Sequence, residues 1–307
     1  MFEHIVVPLD GSRLAEAVLP AAAHLASVLP AKVTLLHLIE RNPPDEIHGE
    51  RHLTDEAEAY AYLEEIAERA FPPGVEVEKH VHTTEVRDVA RSIVEHGSEL
   101  GNDLIAMCTH GSSELRDRLL GSIALQVIAM GVTPVLLVHP EKTDPSAAFT
   151  CQRMLVPLDG DPDHEQALQV AADLARACQA ELHMLMIVPT LGTLPGEQAA
   201  TATLLPGSTN AMLDMAEESA QEYLKQARSR LQVPSLPLGI HVQRGDPARQ
   251  IVDTALETKA DLIVMGTHGK RSMDAFWSGS VTPKVAGRAP LPLLLVPVGA
   301  SGSPHSS

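Results

Sequence analysis

Short runs of Val, Ile and Leu alternate with longer segments of mixed polarity along the chain. In the first half the apolar runs are residues 4–9, 33–39, 75–81, 103–108 and 134–138, with helical spacing of apolar positions near 12–29, 53–70, 86–99 and 122–131. The second half repeats this order, with runs at 153–158, 181–188, 237–243, 261–266 and 292–297 and helical patterns near 163–178, 211–231, 247–258 and 280–288. Continuous rather than alternating apolar runs predict strands buried on both faces, and their alternation with helices predicts a parallel sheet. The pattern therefore predicts an α/β chain of two tandem, doubly wound, five-stranded parallel-sheet domains, with strand order 3-2-1-4-5 in each.

The halves are copies of one another. Ile5-Val-Val-Pro-Leu-Asp10-Gly returns as Met154-Leu-Val-Pro-Leu-Asp159-Gly at an offset of 149, and Thr109-His-Gly returns as Thr267-His-Gly at an offset of 158. The nine extra residues fall after the second strand of the second half, where Gly, Pro and Thr between 189 and 208 predict a loop. The expected domains are residues 1–140 and 152–298, with a polar linker at 141–151 and a disordered tail at 299–307. Pro20, inside an Ala-rich helical pattern, predicts a kink.

Composition narrows the possible partners. With 307 residues and 44% hydrophobic content, each half can bury a core. The formal net charge of −17 argues against broad attraction to nucleic acid or an anionic membrane, so a polyanion would have to be held locally by backbone donors. The three cysteines, Cys108, Cys151 and Cys178, have neither disulfide nor zinc-type spacing, which points to a reducing, cytoplasmic setting. The segment MFEHIVVPLDGS lacks the pattern of a signal peptide, and no run is apolar for long enough to predict a membrane span.

In an open parallel sheet, ligands bind beyond the carboxyl ends of the strands, where the strand order reverses. Strands 1 and 4 should flank that point. Their loops begin Asp10-Gly-Ser12 and Cys108-Thr-His110-Gly111 in the first copy, and Asp159-Gly-Asp161 and Gly266-Thr-His268-Gly269 in the second. Glycine lets backbone N–H groups approach an anion closely, and Gly279-Ser280 precedes a helix whose first-turn amides can bind phosphate. Asp10 and Asp159, at strand tips, are placed to accept hydrogen bonds from a ribose or base, or to hold a metal bound to phosphates. His110, His268, Lys270 and Arg271 are either phosphate contacts or solvated loop groups. His80-Val-His82 puts two imidazoles on one face of a strand, but the sequence shows no third ligand at a suitable spacing. Met184 and Met186 read as core, and the acidic positions between 53 and 70 as a solvated helix face.

These motifs resemble the universal stress protein family in a tandem form. Gly266-x2-Gly269-x9-Gly279-Ser280 is similar to the glycine pattern of its ATP-binding subgroup. The resemblance implies that Asp159 contacts the nucleotide, backbone at Ile187 holds adenine, and Gly266, His268, Gly269, Gly279, Ser280 and Val281 surround the phosphates. The matching first-copy positions are Asp10, Leu38, His110, Gly111, Gly121, Ser122 and Ile123. It also implies ATP, with Mg2+, as cofactor, a homodimer, a signalling partner, and pairing of residues 134–138 with 292–296 within one molecule. The copies depart unequally: Cys108 stands where Gly266 stands, predicting a weaker first site, and Asp161 replaces Ser12 with a charge that repels phosphate or recruits magnesium. The expected function is an ATP-binding stress-response or signalling protein acting through nucleotide-dependent conformation or association. The alternatives are a nucleotide-free interaction scaffold and a slow ATP-hydrolysing enzyme. Against the latter stands the missing Gly-x4-Gly-Lys-Ser/Thr loop, and no catalytic residue is assigned.

Overall fold

The computed structural model describes residues 1–41, 43, 46–47, 50–109, 122–131, 133–140, 149–194, 196–231, 236–268 and 281–298. Contacts divide the chain into a first compact unit, residues 1–150, 267–278 and 290–307, and a second, residues 151–266 and 279–289.

The first repeat runs β1 (His4–Pro8), α1 (Arg13–Glu16), α2 (Leu19–Val28), β2 (Lys32–Glu40), β3 (Glu46–Ile47), β4 (Glu50–Arg51), α3 (Glu56–Ala70), β5 (Val77–Val86), α4 (Val89–Leu100), β6 (Leu104–Cys108), α5 (Ser122–Met130) and β7 (Val135–Val138). Strand β1 pairs in parallel with β2, Ile5 opposite Val33, and with β6, Ile5 opposite Leu104. With β5 beside β2 and β7 beside β6, the order is β5-β2-β1-β6-β7, the predicted 3-2-1-4-5. Ile5, Val33, Leu35, Leu104, Ile105 and Leu136 are completely buried, as continuous apolar strands covered on both faces must be.

The second repeat runs β8 (Arg153–Leu158), α6 (Glu165–Cys178), β9 (Glu181–Val188), α7 (Gly196–Leu204), α8 (Pro206–Arg230), β10 (Leu238–Arg244), α9 (Pro247–Glu257), β11 (Leu262–His268), α10 (Val281–Arg288) and β12 (Leu293–Val298). Strand β8 pairs in parallel with β9 and β11, and β9 with β10, giving β10-β9-β8-β11 in the second unit. Strand β12 lies in the first unit, antiparallel to β7, with Leu293 opposite Leu137, Leu294 opposite Leu136 and Leu295 opposite Val135. This is the expected pairing of the two fifth strands, and it protects an apolar strand from being left as an edge.

Local signals explain the helix boundaries. The carboxylates of Asp88 and Asp246, at corresponding places in the two repeats, accept the Arg91 and Arg249 amides at 3.0 and 2.9 Å and cap α4 and α9. Two expectations need correction. Instead of kinking a single helix, Pro20 sits in the first turn of α2, where its missing N–H is not needed, and the predicted helix divides into α1 and α2. The insertion predicted as a loop carries α7 and the start of α8, because Pro206 and Gly207 open a helix there. Leu194, Ala202, Leu213 and Ala220 bury the insertion against Val188. The β3–β4 hairpin has no sequence signal of alternation.

Gly11 has φ +91°, and a Cβ there would lie 2.8 Å from Leu53 Cδ1. Gly74 has φ +102° with nothing within 4 Å of that position. Gly11→Ala and Gly74→Ala should each lose about 1–2 kcal/mol through the left-handed backbone, and Gly11→Ala should lose more through Leu53. Urea unfolding of both variants checks this; equal losses would show that Leu53 yields freely.

Candidate functional site

The strand order reverses at β1, between β2 and β6, and a cleft of ≈ 230 Å³ opens there in the first unit. Asp10 from the end of β1, Leu38 from β2, Cys108 from β6, and Ser122 and Ile123 from the start of α5 all line it. Four of the first-copy residues proposed from sequence, Asp10, Leu38, Ser122 and Ile123, are thus brought together. The Asp10 loop is built locally. Asp10 Oδ1 accepts the Ser12 amide at 2.9 Å and the Ser12 hydroxyl at 2.7 Å, and Ser12 Oγ accepts the Ala15 amide as the cap of α1. His37 faces the Leu9 carbonyl at 2.8 Å and the Leu53 carbonyl at 3.1 Å, fastening the strand tip to the segment before α3.

Sequence reasoning missed His52 and Glu40, which also line this cleft. Both ring nitrogens of His52 are buried without a hydrogen-bond partner among the described residues, and Glu40 Oε1 stands 3.9 Å away, too far for a hydrogen bond. A buried polar group without a partner calls for a ligand or an ordered water. The segment from 41 to 52 has no periodicity that could have brought His52 to attention.

In the second unit, Asp159 follows β8, Ile187 lies in the neighbouring β9, and Gly266 lies in β11 on the other side of β8. Val281 opens α10. His164 Nδ1 sits 2.8 Å from both Asp159 oxygens, and the Asp161 amide donates to Asp159 Oδ1 at 3.0 Å. Burial alone would raise the Asp159 carboxyl, but the bonds from His164 and the Asp161 backbone outweigh it and hold the group below the usual aspartate range. His164 is a third residue that sequence reasoning missed, although it closes the polar run Asp159-Gly-Asp-Pro-Asp-His164.

His110, Gly111, Gly121, Gly269, Gly279 and Ser280 lie outside the described residues, as do Lys270, Arg271, the linker from 141 to 148 and the tail; His268 is described in its backbone only. Cys108 and Gly266 are described. Cys108 is 2% exposed and donates its thiol to the Ala15 carbonyl at 3.4 Å. Burial pushes that thiol far up, so it is a neutral packing group rather than a reactive thiolate.

One reading from sequence is corrected here. His80 and His82 do have a third imidazole beside them, His96 from α4. Burial first, and then the His96 ring, hold His80 and His82 below the ordinary histidine range. Among the described residues, no helix is long and apolar enough to cross a membrane.

A duplicated doubly wound sheet with a cleft at a switch point defines a class of tandem α/β proteins. The universal stress protein family model matches residues 1–139 and 150–297, and the chain belongs to that family of stress-response proteins, in tandem form. A universal stress protein of Mycolicibacterium smegmatis is 26% identical over 304 residues, covering 95% of this chain and 96% of that protein. Universal stress protein Rv2623 of Mycobacterium tuberculosis is 27% identical over 311 residues, covering 95% of each. The crystal structure of a universal stress protein from Archaeoglobus fulgidus shares the fold, with a TM-score of 0.63 at 18% identity over 97% of each chain.

Because the folded value of Asp159 lies below the unfolded one, about 3.9, the group adds stability above that pH and loses it as the pH falls through the folded value. His164→Ala should bring the carboxyl back toward about 3.9 and shrink that gain. Urea unfolding between about pH 3 and about pH 6 should show stability rising less steeply for the variant. Identical pH profiles would show that His164 does not hold the carboxylate.

Proposed function

We propose that the chain binds ATP at the switch point of its repeats and acts in stress signalling through nucleotide-dependent conformation or association. The observation that carries this reading is the arrangement at the first-unit switch point, where Asp10, Leu38, Ser122 and Ile123, whose equivalents in the second repeat are Asp159, Ile187, Ser280 and Val281, meet beside a His52 ring without a partner among the described residues. Nothing but the strand order and the loop positions brings these four residues to one place.

The second repeat is the stronger candidate. Its loop keeps Gly266-x2-Gly269-x9-Gly279-Ser280, so backbone amides can approach phosphate closely without any net positive charge. Asp159 is the contact for ribose or base, and Ile187 the backbone contact for adenine. His268 and Val281 complete the phosphate side. Asp159 and Asp161 offer the hard carboxylate oxygens that Mg2+ takes, and the ion would neutralise phosphate charge beside them.

The first repeat is proposed as the weaker site, with Asp10, Leu38, His110, Gly111, Gly121, Ser122 and Ile123 around it. Its cleft of ≈ 230 Å³ falls below the roughly 300–1,000 Å³ of ordinary ligand pockets, and the Cys108 side chain stands on its wall. Both facts favour a small or weakly held ligand. The domains that carry these sites are proposed as residues 1–140 and 152–298, in a cytoplasmic protein that forms a homodimer and passes the nucleotide signal to a protein partner.

Thermal unfolding of the full-length chain with and without Mg-ATP tests the reading. A ligand at a hundred times its Kd stabilises the folded state by about 2.7 kcal/mol, so the Tm should rise with nucleotide concentration. Gly269→Val, which blocks close backbone approach, should weaken binding by at least about tenfold, or about 1.4 kcal/mol. Equal binding by the variant would remove the glycine loop from the account, and no stabilisation at saturating ATP would favour the nucleotide-free scaffold.

A further inference from the structure

Three imidazoles meet on the first unit, away from the loops that the proposed function uses. His80 and His82 are two residues apart on β5, so they share one face of the strand. His96 comes from α4, which Asp88 caps and Gly101 ends in a left-handed turn. The rings of His82 and His96 are 4.3 Å apart between centroids and those of His80 and His96 5.4 Å. Each histidine offers one nitrogen, and the three nitrogens lie within 4.8 Å of one another.

The hydrogen bonds show which lone pairs face inward. His96 Nδ1 lies 2.8 Å from the Ser92 carbonyl, an acceptor only, so Nδ1 carries the proton and Nε2 carries a lone pair. That Nε2 accepts the Nδ1–H of His82, 2.8 Å away, a proton that moves to His82 Nε2 when an ion takes its place. A backbone carbonyl holding the far N–H of a histidine is the usual way a ligating imidazole is oriented. His80 Nε2, meanwhile, is buried with no hydrogen-bond partner among the described residues. Packing alone does not account for this arrangement, because it leaves a buried nitrogen unsatisfied.

We propose that His80, His82 and His96 bind a divalent late first-row transition-metal ion, with Zn2+ as the reference case. Neutral imidazole nitrogen suits zinc, nickel and copper, whereas Mg2+ and Ca2+ prefer oxygen ligands. Zn–N bonds of about 2.0–2.1 Å place tetrahedral ligand nitrogens about 3.3 Å apart, so small ring movements from the observed cluster suffice. Three histidines leave a fourth position for water or an incoming ligand. The ion would pin α4 to β5, and α4 supplies Val89 and Ile93 to the cleft wall while His82 lies opposite Leu38 in the sheet.

The second repeat provides an internal comparison. His80 pairs with Leu36 and His82 with Leu38. At the offset of 149 these become Leu185 and Ile187, which pair with His241 and Gln243. Eight residues after the capping Asp246, Thr254 stands where His96 follows Asp88. The fold therefore does not require three histidines at these positions. Among the described residues, the three-histidine cluster belongs to the first copy.

The test is Zn2+ titration of the untagged full-length chain, in competition with a chromophoric chelator, alongside His96→Gln, His82→Gln and the control His241→Gln. The wild-type chain and His241→Gln should bind Zn2+ at one tight site, and each triad variant should lose at least about tenfold in affinity. Co2+ should give visible bands of a low-symmetry, nitrogen-rich site in the wild type and lose them in both triad variants. Circular dichroism establishes that the variants are folded, and the second triad variant serves if one is not. Tight Zn2+ binding that survives in folded His96→Gln and His82→Gln, or no tight binding by the wild type, would overturn the proposal.

Discussion

Strand β1 is hydrogen-bonded in parallel to β2 on one side and to β6 on the other, and the cleft of the first unit follows from that placement. Parallel neighbours need crossover helices, and crossovers of one hand that leave a central strand in opposite directions cover opposite faces of the sheet. The connecting loops then part at the carboxyl ends of β1 and β6, so a crevice opens where no helix can close it. Asp10, two residues past the end of β1, and Cys108, the last residue of β6, line it because these two strands end there. The same pairing of β8 with β9 and β11 puts Asp159 between the tips of its neighbours in the second unit.

Much of this was legible in the sequence because the signals were long and repeated. Continuous apolar runs gave the buried strands and the two offsets gave the duplication, while the strand order was an expectation for a doubly wound sheet that the pairing of β1 with β2 and β6 bears out. Asp10 could be placed from its position at a strand tip, whereas Leu38, Ser122 and Ile123 came from the family resemblance, and all four line the cleft. What escaped lies where side chains meet across tertiary contacts. His52 comes from a segment without periodicity, and His96 meets His82 only because α4 packs against β5. Composition misled at the insertion, where Pro and Gly mark helix starts as readily as turns.

Duplication has allowed the two copies to drift under different constraints. Both retain the aspartate after the first strand and the aspartate cap of the fourth helical segment, Asp88 and Asp246, which the local backbone requires. They differ where the backbone tolerates choice. Ser12 in the first copy is buried and caps α1 while bonding Asp10, whereas in the second copy His164 takes up the carboxylate of Asp159. Cys108 fills space against α1 at the position where Gly266 carries no side chain. Among the described residues, the first copy groups three imidazoles, His80, His82 and His96, where the second has the pair His183 and His241. Inequality between the repeats is thus written both at the switch point and on the face of β5 beside α4.

On the proposed function, this inequality leaves one competent nucleotide site per chain, in the second repeat. Native mass spectrometry of the full-length protein with Mg-ATP measures this directly, as nucleotides bound per chain for the wild type, Asp10→Ala, Asp159→Ala and Cys108→Gly. The account predicts one nucleotide for the wild type and for Asp10→Ala, none for Asp159→Ala, and a second appearing in Cys108→Gly. Two equally held nucleotides per wild-type chain, or one that is lost in Asp10→Ala and kept in Asp159→Ala, would contradict it.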